Sequence, residues 1–167
     1  MAIVYTTRVF AIDVEDVPSP DGTSHTIATV RHAPCVVLIP ILDDGRVVLI
    51  RQYRHSVGRV LWEVPAGSIN PGEAPEAAAL RECEEETRLA PSRVERLSAL
   101  FSAPGYCDEE MIFFRATGLH APAPDSTLGP DEDEDISVHP TTVAEARAML
   151  ARGDIVDLKT AYALMLI

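Results

Sequence analysis

The sequence predicts an α+β fold in which helices pack on a mixed β-sheet. Three observations lead there. Short runs rich in β-branched and aromatic residues recur along the chain. Three stretches with helical patterning, 74–88, 142–151 and 156–167, are set among them. Strands and helices do not alternate strictly, as a parallel βαβ arrangement would require.

Taken in order, residues 3–14 and 24–31 are β-rich and flank the turn-like PSPDGTS, so they are expected to form an antiparallel pair. Runs 35–42 and 46–53 are joined by Asp43-Asp44-Gly45, a hairpin signal. A further strand at 60–64 leads into a turn-rich loop. Pro75 suits the first turn of a helix, and Glu73 and Glu76 favour its positive end, which places a helix over 74–88. Strands at 94–102 and 111–117 enclose APGYCDEE, and 136–138 is a short strand. Between them, Pro122, Pro124, Gly129 and Pro130 lead into five consecutive acids at 131–135, which is a loop. Residues 1–33 form a small β-rich appendage and 34–167 the main domain, since a length of 167 residues suits one core plus a minor extension.

The formal charge of −12 argues against a nucleic-acid polymer or an acidic membrane as partner, because those bind basic surfaces. A phosphorylated small molecule fits if a divalent metal supplies the positive charge. Cys35, Cys83 and Cys107 are scattered, with no zinc-site spacing, and are expected as reduced thiols in the cytoplasm. Neither a long apolar run nor a signal-peptide pattern is present, so a soluble, intracellular protein is expected.

On the 74–88 helix, Glu82, Glu85 and Glu86 share one side, with Leu80 and Thr87 opposite. Like charges at i, i+3 and i+4 repel, which calls for a cation. Hard oxygen ligands at this spacing suit Mg²⁺ or Mn²⁺. Alone, such a cluster reads as a solvated acidic face. Its surroundings say more. Gly67, Glu73, Arg81, Glu82, Glu85, Glu86 and Leu89 follow the spacing G-x5-E-x7-R-E-U-x-E-E-x-G-U, U being a bulky aliphatic residue. This resembles the signature of the Nudix hydrolase family. Cys83 takes an aliphatic place and Arg88 takes the last glycine. That glycine would close the helix in the left-handed region, where a Cβ costs on the order of 1 kcal/mol, so the departure bears on local geometry and stability more than on activity.

Further segments narrow the resemblance. RQYRHSVGRVLWEVPAG before the box and SAPGYCDE after it are similar to the ADP-ribose pyrophosphatase branch, and Pro104 stands fifteen residues past Leu89, where that branch carries a proline. The resemblance implies a Nudix fold, a mixed sheet sandwiched between helices, and metal-dependent hydrolysis of a pyrophosphate in a nucleoside diphosphate linked to another moiety. ADP-ribose is the expected substrate. GDP-mannose, other nucleotide sugars, or a non-catalytic Nudix-fold binding module are the alternatives.

The same resemblance assigns roles. Glu82 and Glu86 are metal ligands, Glu85 a further ligand or its neighbour, and the backbone carbonyl of Ala66 another ligand. Arg81 orients the carboxylates. The general base is a loop glutamate, Glu132 or Glu134, with Glu132 preferred and Glu134 a metal partner. Arg54 and Arg51 offer planar forks to phosphate, and Glu109 is a substrate-side contact. Tyr106 is either a stacking face for a base or a loop plug, and Trp62 a core aromatic. A homodimer is expected, with the N-terminal strands at its interface.

Overall fold

The computed structural model describes residues 2–129 and 135–167, and among these it has ten strands and three helices. Strands β1 (Ala2–Thr6), β2 (Phe10–Pro18) and β3 (Ser24–His32) form an antiparallel sheet of their own. The expected single strand over 3–14 is broken. Thr7 turns the chain: its Oγ1 accepts from Phe10 N at 2.9 Å, and its amide donates to Phe10 O at 2.8 Å. The pair is therefore a three-stranded meander.

The main body holds two sheets. One has the order β10-β5-β6, from Ile136–Thr141, Val47–Arg54 and Arg59–Glu63. The other has the order β7-β4-β9-β8, from Ala66–Ser68, Cys35–Pro40, Glu110–His120 and Ala90–Phe101, with β4 and β9 parallel. The Asp43-Asp44-Gly45 turn forms as expected, with Gly45 at φ 82 and its amide donating to Leu42 O at 2.8 Å. The strands it joins then diverge. Beyond the bridge Ile41 to Val47, β4 and β5 enter different sheets. A turn fixes only the residues beside it, whereas burial decides where each strand pairs.

Strand β4, CVVLIP, is buried along its whole length because both its faces are covered. Val36 and Leu38 point to one core with Ala78, Ala79 and Cys83 of α1 (Pro75–Thr87) and Ile112 and Phe114 of β9. Cys35, Val37 and Ile39 point to the other, with Val47, Leu49, Phe113 and residues of α2 (Val143–Arg152) and α3 (Leu158–Met165). The period-two alternation thus places helices on both sides of the sheet. Burying Phe113 and Phe114 fully contributes roughly 2 kcal/mol or more apiece.

Helix α1 starts on an extended Ala74 with no side-chain cap, followed by Pro75 at its first position. It closes where Arg88 adopts φ 59, ψ 27 and donates its amide to Glu84 O at 2.9 Å, the left-handed geometry expected there. Leu80, expected on the face opposite the acids, is 41% exposed. Thr87 by contrast is buried. The helix packs through small residues, Ala78, Ala79 and Cys83, which bring its backbone and its acidic side close to β7. Helix α3 begins at Leu158 rather than 156, because Asp157 caps it by accepting from Thr160 N at 3.0 Å.

Candidate active site

The buried side of α1 carries Glu82 and Glu86 against β7. Ala66 N donates to Glu86 Oε2 at 2.9 Å. At Gly67 an ideal Cβ would lie 2.1 Å from the Glu82 carboxylate, so only a residue without a side chain lets this strand approach the helix. The box glycine is a space requirement here.

Arg81 ties the acids together. Its Nε and Nη2 hold both oxygens of Glu73 at 2.9 and 2.8 Å, and its Nη1 donates to Glu82 Oε1 at 2.6 Å and to Glu85 Oε2 at 2.8 Å. Nη2 also reaches Ser68 O at 3.1 Å. Hydrogen bonding to Glu73 first, then to Glu82 and Glu85, drives the guanidinium pKa upward. The same bond holds the Glu73 carboxyl below its usual range. Three carboxylates, Glu73, Glu82 and Glu85, thus gather around one guanidinium, with Glu86 on the same buried side of α1, a net negative charge that suits a further cation.

Among the described residues no three carboxylate, imidazole or thiolate groups converge as a metal cluster, since Arg81 draws Glu82 and Glu85 toward itself. The donor set nevertheless fits a hard divalent ion: every donor is an oxygen, two of the carboxylates are buried one turn apart, and the backbone of β7 lies against them.

These groups line a cavity of about 980 Å³, at the upper end of the roughly 300–1,000 Å³ of small-molecule sites. The structure brings Ala66, Arg81, Glu82, Glu85, Glu86, Arg54 and Glu109 to its wall. Arg54 is engaged by Glu63, with Nε and Nη2 donating at 2.8 and 2.7 Å. Glu109 arrives on the loop before β9, beside Cys35, whose thiol is pushed far up by burial and then by Glu109. That loop is anchored to the N-terminal sheet: Val30 N donates to Tyr106 O at 2.8 Å, and His32 N to Asp108 Oδ1 at 2.8 Å.

Two expected contacts stand elsewhere in this chain. Arg51 lies over the Trp62 ring, 5.1 Å from its centroid, and is absent from the cavity wall. Tyr106 is 63% exposed at its loop and is absent from the cavity wall. Glu132 and Glu134 lie outside the described residues.

Sequence reasoning missed a network at the same wall. Glu63, 1% exposed, also accepts from Lys159 Nζ, which donates to Asp157 Oδ2 at 3.1 Å. Burial opposes ionisation of Glu63, but Arg54 and Lys159 outweigh it and hold its carboxyl below the usual range. One signal was available, for Lys159 is the only lysine in the chain.

Comparison with known proteins agrees with this geometry. The NUDIX domain family matches residues 31–160. An ADP-ribose pyrophosphatase of Bacillus subtilis (strain 168) is 33% identical over 161 residues, covering 96% of this chain and 86% of that protein. Another ADP-ribose pyrophosphatase, of Mycobacterium tuberculosis (strain ATCC 25618 / H37Rv), is 35% identical over 155 residues, covering 92% of this chain and 74% of that protein. The solved structure of an ADP compounds hydrolase superposes with a TM-score of 0.84 at 26% identity, covering 99% of this chain and 88% of that one.

Proposed function

The chain belongs to the NUDIX domain family, and from that membership we propose that it hydrolyses the pyrophosphate of ADP-ribose to AMP and ribose 5-phosphate, with Mg²⁺ as its ion. The observation that carries this reading is the cavity in which the box carboxylates Glu82, Glu85 and Glu86 face the same space as the cations Arg54 and Lys159. A diphosphate needs both. The names of the two pyrophosphatase relatives support ADP-ribose over other nucleotide sugars.

Glu82 and Glu86, with Glu85 and the Ala66 carbonyl, would hold the ion. A divalent metal of this class neutralises the diphosphate and supplies an activated water. The protein's own part is positional. Arg81 keeps Glu82 and Glu85 aligned, Gly67 admits β7 to the carboxylates, and Arg54 presents its guanidinium, oriented by Glu63, to the substrate's phosphates. Glu109, on the same wall, is a substrate-side contact. Glu132 is the proposed general base and Glu134 a metal partner, on chemical grounds: a carboxylate must take the proton of the attacking water.

Residues 1–33 are proposed as a dimerisation element and 34–167 as the catalytic domain, acting as a cytoplasmic homodimer. The ground for a reducing compartment is the odd, scattered set of three cysteines, Cys35, Cys83 and Cys107.

The test is product analysis with ADP-ribose, GDP-mannose and ADP-glucose at saturating Mg²⁺. We expect AMP and ribose 5-phosphate from ADP-ribose at the highest kcat/KM. Faster cleavage of GDP-mannose would move the substrate assignment, and tight binding without cleavage of any of the three would overturn catalysis.

A further inference from the structure

Arg88 stands where the family signature has glycine, and its side chain reaches a segment forty residues away in sequence. Its Nη1 donates to the carbonyl of Leu128. Glu84, one turn earlier on α1, accepts from Ser126 Oγ, and Leu128 N donates to the same hydroxyl at 3.3 Å. At Gly129 an ideal Cβ would lie 2.6 to 2.8 Å from atoms of the Arg88 guanidinium, so the guanidinium fills the space a side chain would need. Gly129 in turn forms part of the cavity wall, and the five acids at 131–135 follow two residues later in the sequence.

We propose that Arg88 and Glu84 form a two-point latch that fixes residues 126–129 against the end of α1, making Arg88 a positioning residue for the hydrolysis. The inference rests on the pyrophosphatase reading above. Neither position belongs to the metal chemistry: Glu84 occupies an unconstrained place in the signature and Arg88 a place reserved for backbone geometry. A glycine at 88 would relieve the left-handed backbone but provide no donor. Arginine keeps that backbone under strain and gains a planar donor group long enough to hold a main-chain carbonyl at the cavity's edge. The latch acts through geometry, since a shift of about 1 Å in a wall that bears on the substrate costs up to roughly 100-fold in rate.

The test uses the full chain. Arg88→Met keeps the Cβ and an unbranched apolar stem but removes the donors, whereas Arg88→Lys restores a single cationic donor group. Hydrogen–deuterium exchange at 126–129 should rise in Arg88→Met and stay near wild type in Arg88→Lys. With ADP-ribose, Arg88→Met should lose kcat roughly tenfold with KM changed less than about threefold, and Arg88→Lys should recover most of it. Gly129→Ala, which places a methyl against the guanidinium, should reproduce the Arg88→Met phenotype, and the two changes combined should add little. Wild-type exchange at 126–129 in Arg88→Met, equal losses in the Met and Lys variants, or simple additivity with Gly129→Ala would each overturn the latch. Failure of the wild-type protein to cleave ADP-ribose would sink the substrate reading instead, and the exchange comparison would then decide the latch alone.

Discussion

Glu82 and Glu86 are buried acids on one helical turn, and two such charges persist together only where cations face them. Arg81 faces Glu82, Arg54 is electrostatically coupled to Glu86, and the proposed metal adds positive charge to both. Glu82→Gln and Glu86→Gln should each lower kcat by roughly 100-fold or more while leaving the fold intact, as measured by steady-state kinetics alongside circular dichroism. A readout independent of turnover is thermal stability. If the wild-type protein binds Mg²⁺, adding the ion at about 100 times its Kd should stabilise it by about 2.7 kcal/mol, and Glu82→Gln should largely abolish that gain. Arg81→Lys cannot reproduce the forked contacts to Glu73 with simultaneous reach to Glu82 and Glu85, so it should weaken metal binding while charge is conserved.

At the scale of elements, α3 braces the segment that leads into β7. Val64 N donates to the buried Thr160 Oγ1 at 2.8 Å, and that hydroxyl donates to Asp157 Oδ2 at 2.6 Å. Thr160→Val keeps the shape but strands a buried amide, which should cost about 1–3 kcal/mol in chemical denaturation. The adjoining Glu63 network adds a pH dependence. Its carboxyl lies below the ordinary 4.5 in the fold, so the ionised network contributes fully above that pH and loses its contribution as pH falls through the lower, folded value. The wild-type melting temperature should therefore drop below pH 4.5. Glu63→Gln should flatten that part of the curve, and near neutral pH should destabilise by about 3 kcal/mol because Arg54 and Lys159 lose their shared anion.

The whole molecule is a two-sheet body with a three-stranded sheet docked on the loop that carries Glu109. Strand β1 is exposed along its whole length, although Ile3, Val4 and Tyr5 are 56%, 61% and 59% accessible and apolar. A strand at the edge of its sheet with such residues is the surface a second copy would cover. Ile3→Asp with Tyr5→Asp should convert a dimer into a monomer by sedimentation velocity. A wild-type protein that sediments as a monomer would remove the proposed interface.

What the sequence determined by itself was whatever local spacing encodes. The α1 acids and the Asp43-Asp44-Gly45 turn follow from residues within one or two turns of each other, where backbone sterics and helical period leave little choice, whereas the left-handed closure at Arg88 follows from the family signature and runs against the sterics of its Cβ. The tertiary structure alone decided what depends on distant partners. It sent β4 and β5 into separate sheets, set Leu80 toward solvent while Glu82 and Glu86 went inward, and joined Lys159 to Glu63 and Arg88 to Leu128. Those outcomes turn on which surfaces meet once the two cores close. Periodicity marks which face of an element is buried, but the distant surface that covers it and the far partner a side chain bonds have no signature in the order of neighbouring residues.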